Sequence, residues 1–266
     1  MKQLCRILGV FCIFFALLSV HGFAAHAEID VSTAPDGFFS VFCEEHPTTK
    51  MKLGVTTAGQ TTYYDYTPGT KAVFAFDKGD GDYAIVLYRH HSGTSYRKVL
   101  TKPVSVRLKD PLAPYLVSTT EITFSQEDAV GQKAAALCEG LSDDQSKMIA
   151  IYNDIAGSFQ YDDVFADAVR KGAVRNYIPN TNQTLNSKLG VCYDFSAVFA
   201  AMCRSQGIPC AVQKGYYYGS YHAWNNVYVG DQWVSVDLTA PIANGLLGRY
   251  MSQCLIATGS GTAYAY

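Results

Sequence analysis

Between Lys109 and Pro114 the stretch K-D-P-L-A-P separates two kinds of hydrophobic patterning, and one packing scheme does not serve both. Upstream, short β-branched and aromatic runs alternate with turn formers. These runs are Phe38 to Phe42, Lys52 to Thr57, Thr61 to Tyr66, Ala72 to Phe76, Tyr83 to Tyr88, Tyr96 to Leu100 and Val104 to Leu108. Each reads as a strand, because such side chains pack well on a pleated, half-buried surface. Thr67-Pro68-Gly69 and Asp77-Lys78-Gly79-Asp80-Gly81 supply turns between them. Strands at this spacing predict a small, sandwich-like all-β unit over residues 28–110. Pro111 and Pro114 bias the residues before them away from helix, so 111–118 reads as a linker. Asp77, Asp80 and Asp82 lack the alternating ligands and distal Glu of a calcium loop, and read as a solvated hairpin turn.

Beyond the linker the period becomes helical, which predicts a separate unit over residues 119–266. Ser125 with Asp128, and Ser142 with Gln145, are spaced as capping arrangements that open helices. The second precedes Met148, Ile149, Tyr152, Ile155 and Phe159, an apolar core face. Asp162 to Lys171 reads as a further short helix. Asn176 to Lys188 reads as a polar loop, with a formal glycosylation triplet at Asn182-Gln183-Thr184. Val191, Phe195, Val198, Phe199 and Met202 then form one face of a helix from Cys192 to Ser205. Gly207 ends it and Pro209 prevents its resumption.

The first 27 residues read as a signal peptide: a basic M-K-Q-L-C-R, apolar Ile7 to Val20, and the small-x-small Ala25-His26-Ala27. An uncleaved anchor is the other reading of the same signals. No later apolar run reaches spanning length, so the expectation is a secreted or cell-surface protein without stable membrane insertion. A net charge of −2 gives no electrostatic reason to expect nucleic acid as a partner. Past the leader the cysteines are Cys43, Cys138, Cys192, Cys203, Cys210 and Cys254, which match no small disulfide framework. Cys203 and Cys210 read as buried, unpaired thiols. No C-x-x-C pair occurs and the histidines are His46, His90, His91 and His222, so no metal cluster is expected.

Cys192 falls in the first turn of its helix, where unpaired N–H groups and the positive end of the helix dipole converge. That placement favours thiolate over thiol and offers donors to an oxyanion on an attacked carbonyl. Gly190 permits close approach there. A base is supplied by H-A-W-N-N-V-Y-V-G-D-Q-W-V-S-V-D, residues 222–237, in which Gly230-Asp231 suits a two-residue hairpin turn. In that register Val229 opposes Gln232, Tyr228 opposes Trp233 and Trp224 opposes Asp237. His222, Trp224 and Asp237 then share a face, with His222 and Asp237 as diagonal neighbours. Cys192 attacks, His222 handles its proton, and Asp237 fixes the imidazole tautomer.

G-V-C-Y-D-F, M-C-R-S-Q-G-I-P-C, H-A-W-N-N-V-Y and W-V-S-V-D-L-T, in this order over residues 140–240, resemble the transglutaminase-like superfamily of papain-type cysteine enzymes. The resemblance implies an α+β domain with a helix packed on an antiparallel sheet. It implies the triad Cys192, His222 and Asp237, and a thioester acyl-enzyme formed from an amide without metal or organic cofactor. Tyr193 and Trp224 are then expected to line the substrate pocket. The expected partner is a peptide or protein substrate, extracellular or of the cell wall, cleaved by water or crosslinked through an amine. A different class of reading, a non-catalytic peptide- or glycan-binding module on the same fold, draws on Tyr216-Tyr217-Tyr218 and Tyr221. A redox-active thiol protein is disfavoured by the missing C-x-x-C.

Overall fold

The computed structural model describes residues 26–174, 177–217, 220–243 and 255–256. The predicted leader up to Ala25, together with Tyr218 and Cys254, lies outside them. The architecture is α+β: strands dominate the N-terminal part, and helices with a further antiparallel sheet follow.

The N-terminal strands are β1 (Ala27–Asp30), β2 (Phe38–Cys43), β3 (Met51–Thr57), β4 (Gln60–Tyr66), β5 (Ala72–Ala75), β6 (Gly81–Ser92) and β7 (Ser95–Val106). They form two antiparallel sheets, ordered β1-β2-β5 and β4-β3-β6-β7. Alternation does the sorting: Met51, Leu53 and Val55 send every second side chain of β3 into a core shared with Phe39, Val41, Ile85 and Leu87. Phe39 ties it together, its ring centroid 5.5 Å from Phe74 and 4.8 Å from Phe76. One expectation changes here. Tyr96–Leu100 and Val104–Leu108 are one strand, β7, running through Pro103, which pairs with Ala84. As an edge strand β7 has one side without a ladder to complete, and so tolerates the missing N–H. Ala27, read from sequence as the last leader residue, opens β1 and pairs with Cys43.

The C-terminal elements are α1 (Ala129–Cys138), α2 (Asp144–Ser158), β8 (Gln160–Tyr161), α3 (Asp163–Arg170), α4 (Thr181–Ser187) and β9 (Leu189–Gly190). They continue with α5 (Cys192–Ser205), β10 (Cys210–Tyr217), β11 (Ser220–Val229), β12 (Gln232–Val236), α6 (Thr239–Ala243) and β13 (Leu255–Ile256). The sheet runs β10-β11-β12-β13, and α5 packs on it through Phe195, Val198, Phe199 and Met202, which join Val227, Val229 and Val236 in a second core. The caps sit three residues and one residue beyond where the sequence suggested. Asp128, not Ser125, caps α1 by accepting from Gly131 N–H at 2.9 Å, and Asp143, not Ser142, caps α2 by accepting from Ser146 N–H at 2.8 Å. The predicted loop 176–188 contains α4, capped by Asn180. Asn182 lies inside that helix, its amide donating to Asp128 Oδ2 at 3.0 Å and accepting from Val130 N–H at 3.2 Å.

The segment joining the two parts is bonded to both. Thr120 N–H donates to Val73 O at 2.9 Å, and Val73 N–H to Thr120 Oγ1 at 2.8 Å. The Tyr115 hydroxyl donates to Asp77 O at 2.8 Å while its ring meets Trp233 edge-on at 4.8 Å. At the far end of α5 the buried Arg204 guanidinium donates to Val117 O at 2.6 Å and to Cys210 O at 2.8 Å. Among the described residues no helix is long and apolar enough to cross a membrane.

Candidate active site

Cys192 is the first residue of α5 and half-buried, whereas Cys43, Cys138, Cys203 and Cys210 are fully buried free thiols. The chain is led to it by a two-residue parallel pair, in which Tyr161 aligns with Gly190 and Gln160 with Leu189. A helix leaves its first N–H groups without intrahelical acceptors. Val191 resolves one of them by donating to Asp194 Oδ2 at 2.9 Å, and Asp194 Oδ1 accepts from the Tyr177 hydroxyl at 2.5 Å. Asp194 is 1% exposed, and burial raises its pKa against the pull of the Tyr177 and Val191 bonds. Gly190 has to be glycine: a Cβ there would stand 2.7 Å from Asp194 Cβ and 3.0 Å from its Oδ2. A cavity of about 340 Å³ opens beside this turn, lined among others by Asp162, Tyr177, Gln183, Gly190 and Asp194.

The β11–β12 hairpin has the register expected from sequence, with Val229 opposite Gln232, Tyr228 opposite Trp233 and Asn225 opposite Val236. Gly230 and Asp231 make the turn at φ +58° and +60°, a left-handed pair that a Gly-Asp step accommodates. Asp237 therefore follows the end of β12 diagonal to His222, and His222 Nε2 lies 2.8 Å from Asp237 Oδ2. Asp237 Oδ1 accepts from Thr239 N–H at 2.8 Å, so the carboxylate is held at both oxygens. Cys192 is near enough to the imidazole to contribute to its pKa. With Nε2 given to Asp237, Nδ1 is the nitrogen left to serve the sulfur.

Burial disfavours the charged imidazole, but the hydrogen bonds and charges of Asp237 and Cys192 outweigh it and raise the His222 pKa to about 9. Burial likewise works against the Asp237 carboxylate, and the His222 bond overcomes it, holding its pKa below the usual value. Trp224 stacks beside His222 at 6.1 Å and 18°. It is a flank of the imidazole before it is anything else. Tyr193 is more constrained than the sequence implied: its hydroxyl accepts from Lys214 Nζ at 3.3 Å, and burial first, then the charge of Glu121, raises its phenol strongly.

Of the predicted reactive residues, His222 and Asp237 are bonded to each other, Trp224 stacks on the imidazole, and Cys192 with Tyr193 occupies the first turn of α5. Sequence reasoning missed Asp194, Tyr177 and Glu121. Asp194 had a signal: an acid at the third position of a helix whose capping residue has no side-chain acceptor. Tyr177 and Glu121 had none. Among the described residues no three His, Cys, Asp or Glu side chains converge as a metal site.

Residues 131–238 match the model of the transglutaminase-like superfamily core, so this stretch carries a transglutaminase-like domain. No curated protein matches the chain. Among solved structures it resembles a candidate cysteine protease from Cytophaga hutchinsonii (17% identity, TM-score 0.43, 77% of this chain and 72% of that one). It also resembles a TGase (24% identity, TM-score 0.32, 41% of this chain and 30% of that one). A third likeness is to the fn3 domain of human collagen alpha-1(XX) chain (14% identity, TM-score 0.26, 33% of this chain and 82% of that one).

Proposed function

We propose that the protein is an exported cysteine-dependent acyl-transfer enzyme acting on peptide or isopeptide amides of extracellular or cell-wall polypeptides. The observation that carries the reading is an imidazole bonded at 2.8 Å to Asp237, with Cys192 placed at the first position of α5 close enough to act on that imidazole's pKa. In the first half-reaction the Cys192 sulfur attacks the amide carbonyl and a C–S bond forms. As the C–N bond breaks, the proton held by His222 passes to the departing amine. The N–H groups of the first turn of α5 face the region where the oxyanion develops. In the second half-reaction water, or a primary amine, attacks the thioester, gives its proton to His222 and releases the thiolate. Asp237 keeps Nδ1 directed at the sulfur through both steps.

The test is alkylation of the purified protein by iodoacetamide at pH 6, with the adduct located by peptide mass. Cys192 is expected to react ahead of the other cysteines, and His222→Ala to abolish that advantage. A Cys192 that is inert at pH 6, or no more reactive than in His222→Ala, overturns the reading and favours a peptide- or glycan-binding module. The exposed Tyr216–Tyr221 pair, 5.5 Å apart, would then be the surface to test. Incubation with casein and a fluorescent primary amine separates the two outcomes of the thioester: label incorporation marks amine transfer, and fragmentation marks hydrolysis.

A further inference from the structure

Three polar side chains next to the triad have no part in the chemistry above. Lys214 Nζ donates to Glu121 Oε1 at 2.8 Å, to Glu121 Oε2 at 3.1 Å and to the Tyr193 hydroxyl at 3.3 Å. The same ammonium stands 4.8 Å over the Tyr193 ring. Lys214 thus links the Tyr193 hydroxyl to the Glu121 carboxylate. This is not a loose surface pair, since the Lys214 and Glu121 side chains are only 30% and 24% exposed. A ring bonded at its hydroxyl and covered by a cation on one face has both of its torsions fixed. Its edge also meets Tyr177, 6.5 Å away at 76°.

The three residues come from distant parts of the chain. Tyr193 follows the nucleophile on α5, and Lys214 is on β10. Glu121 belongs to the segment that the sandwich holds through the reciprocal Thr120–Val73 bonds of 2.9 and 2.8 Å. A continuous set of bonds therefore runs from β5 of the sandwich to the residue beside Cys192.

We infer that Glu121 is a positioning residue: through Lys214 and Tyr193 it fixes the wall of the cleft beside Cys192, and so makes the N-terminal sandwich part of how that cleft accepts a bulky acyl group. The inference rests on Cys192 being the nucleophile. Activation of the thiol runs through His222 and Asp237, whereas Glu121 acts on what fits next to it. The two roles can therefore be separated by the size of the reagent.

The experiment compares iodoacetamide, which needs no cleft, with an N-acyl dipeptidyl chloromethyl ketone, which does. Both are tested at pH 7 on the full protein as wild type, Glu121→Gln, Lys214→Arg and Thr120→Val. In Glu121→Gln the iodoacetamide rate is expected to stay within about twofold of wild type. The peptidyl reagent should slow about tenfold, the scale of one hydrogen bond lost at a charged partner. Lys214→Arg, which keeps the cation, should retain most of the peptidyl rate. Thr120→Val leaves the clamp intact but loosens its tie to the sandwich, and should slow the peptidyl reagent about threefold, the scale of a neutral hydrogen bond. Peptidyl rates equal to wild type in Glu121→Gln and Thr120→Val overturn the inference. So do parallel losses with both reagents, which mark a merely structural role. A wild-type protein whose Cys192 takes neither reagent overturns the nucleophile itself, a result visible before any variant is made.

Discussion

Asp237→Asn preserves shape while reversing one hydrogen bond, and the structure says which one. Thr239 N–H donates to Asp237 Oδ1 at 2.8 Å, so an asparagine that keeps its oxygen there must turn its NH₂ toward His222. His222 Nε2, now 2.8 Å from Oδ2, would become an acceptor. The ring proton moves to Nδ1, and the nitrogen facing the sulfur loses the lone pair that receives a proton. In serine hydrolases the same wrong-tautomer lesion lowers turnover by about 10⁴.

The substitution also has a signature in stability. Burial pushes the His222 pKa down, yet Asp237 and Cys192 raise it from 6.5 to about 9, so the imidazolium stabilises the fold fully below pH 6.5 and loses that effect as pH rises through about 9. Asp237, depressed below 3.8 by His222 against its own burial, contributes above that value and loses the contribution as pH falls through its lowered pKa. At 1.36 kcal/mol per tenfold the His222 shift corresponds to about 3 kcal/mol, with little discount for solvent because the paired side chains are 14% and 16% exposed. Urea unfolding should therefore separate wild type from Asp237→Asn by about 2–3 kcal/mol at pH 7, and by much less at pH 10. A gap independent of pH, or a variant as reactive as wild type at pH 7, would refute the reasoning.

Three further substitutions test the frame around the site. Gly131→Ala, in α1, gains about 1 kcal/mol of helix propensity; its Cβ, however, would overlap the Ser125 carbonyl oxygen, backbone that cannot swing away. The net is expected to be a loss of about 2 kcal/mol by urea midpoint, and a stabilised variant would contradict the packing. Gly190→Ala drives a Cβ to 2.7 Å from Asp194 and should cost about 1–3 kcal/mol while slowing Cys192 alkylation, since Asp194 must leave Val191. Arg204→Leu strands the carbonyls of Val117 and Cys210 and is expected to lower stability by about 2–4 kcal/mol, with Arg204→Lys recovering part through one of the two bonds.

What the sequence made legible was local. The bounds of α5 follow from an apolar stripe, a glycine stop and a proline, all within twenty residues. The β11–β12 register follows from one turn dipeptide, and it brought His222 and Asp237 together because the period-two rule leaves no freedom once the turn is set. What was illegible lacked a pattern of its own. The α4 sequence T-N-Q-T-L-N-S carries no apolar period, and its helix exists because Thr181, Thr184 and Leu185 are buried against neighbours. β1 was obscured by the small residues that read as a cleavage site, and its partner, β2, begins eight residues after it ends.

The same distinction separates reactivity from selectivity in this site. The proposed reactive groups are written in three short motifs, each of which needs only its own strand or helix to present its group. How the thiol is held is not. Cys192 is followed by two anchored neighbours: Tyr193, bonded to Lys214, which is itself bonded to Glu121 93 residues away in sequence, and Asp194, bonded to Tyr177 from the segment before α4. Each anchor fixes the first turn of α5 from a different side, and neither partner can be paired with it by periodicity, capping or turn chemistry. A chain with the same motifs but a different residue at 121 would keep the reactive groups and present a different cleft. Substitution at 121 is therefore expected to move what the cleft accepts before it moves how fast the thiol reacts.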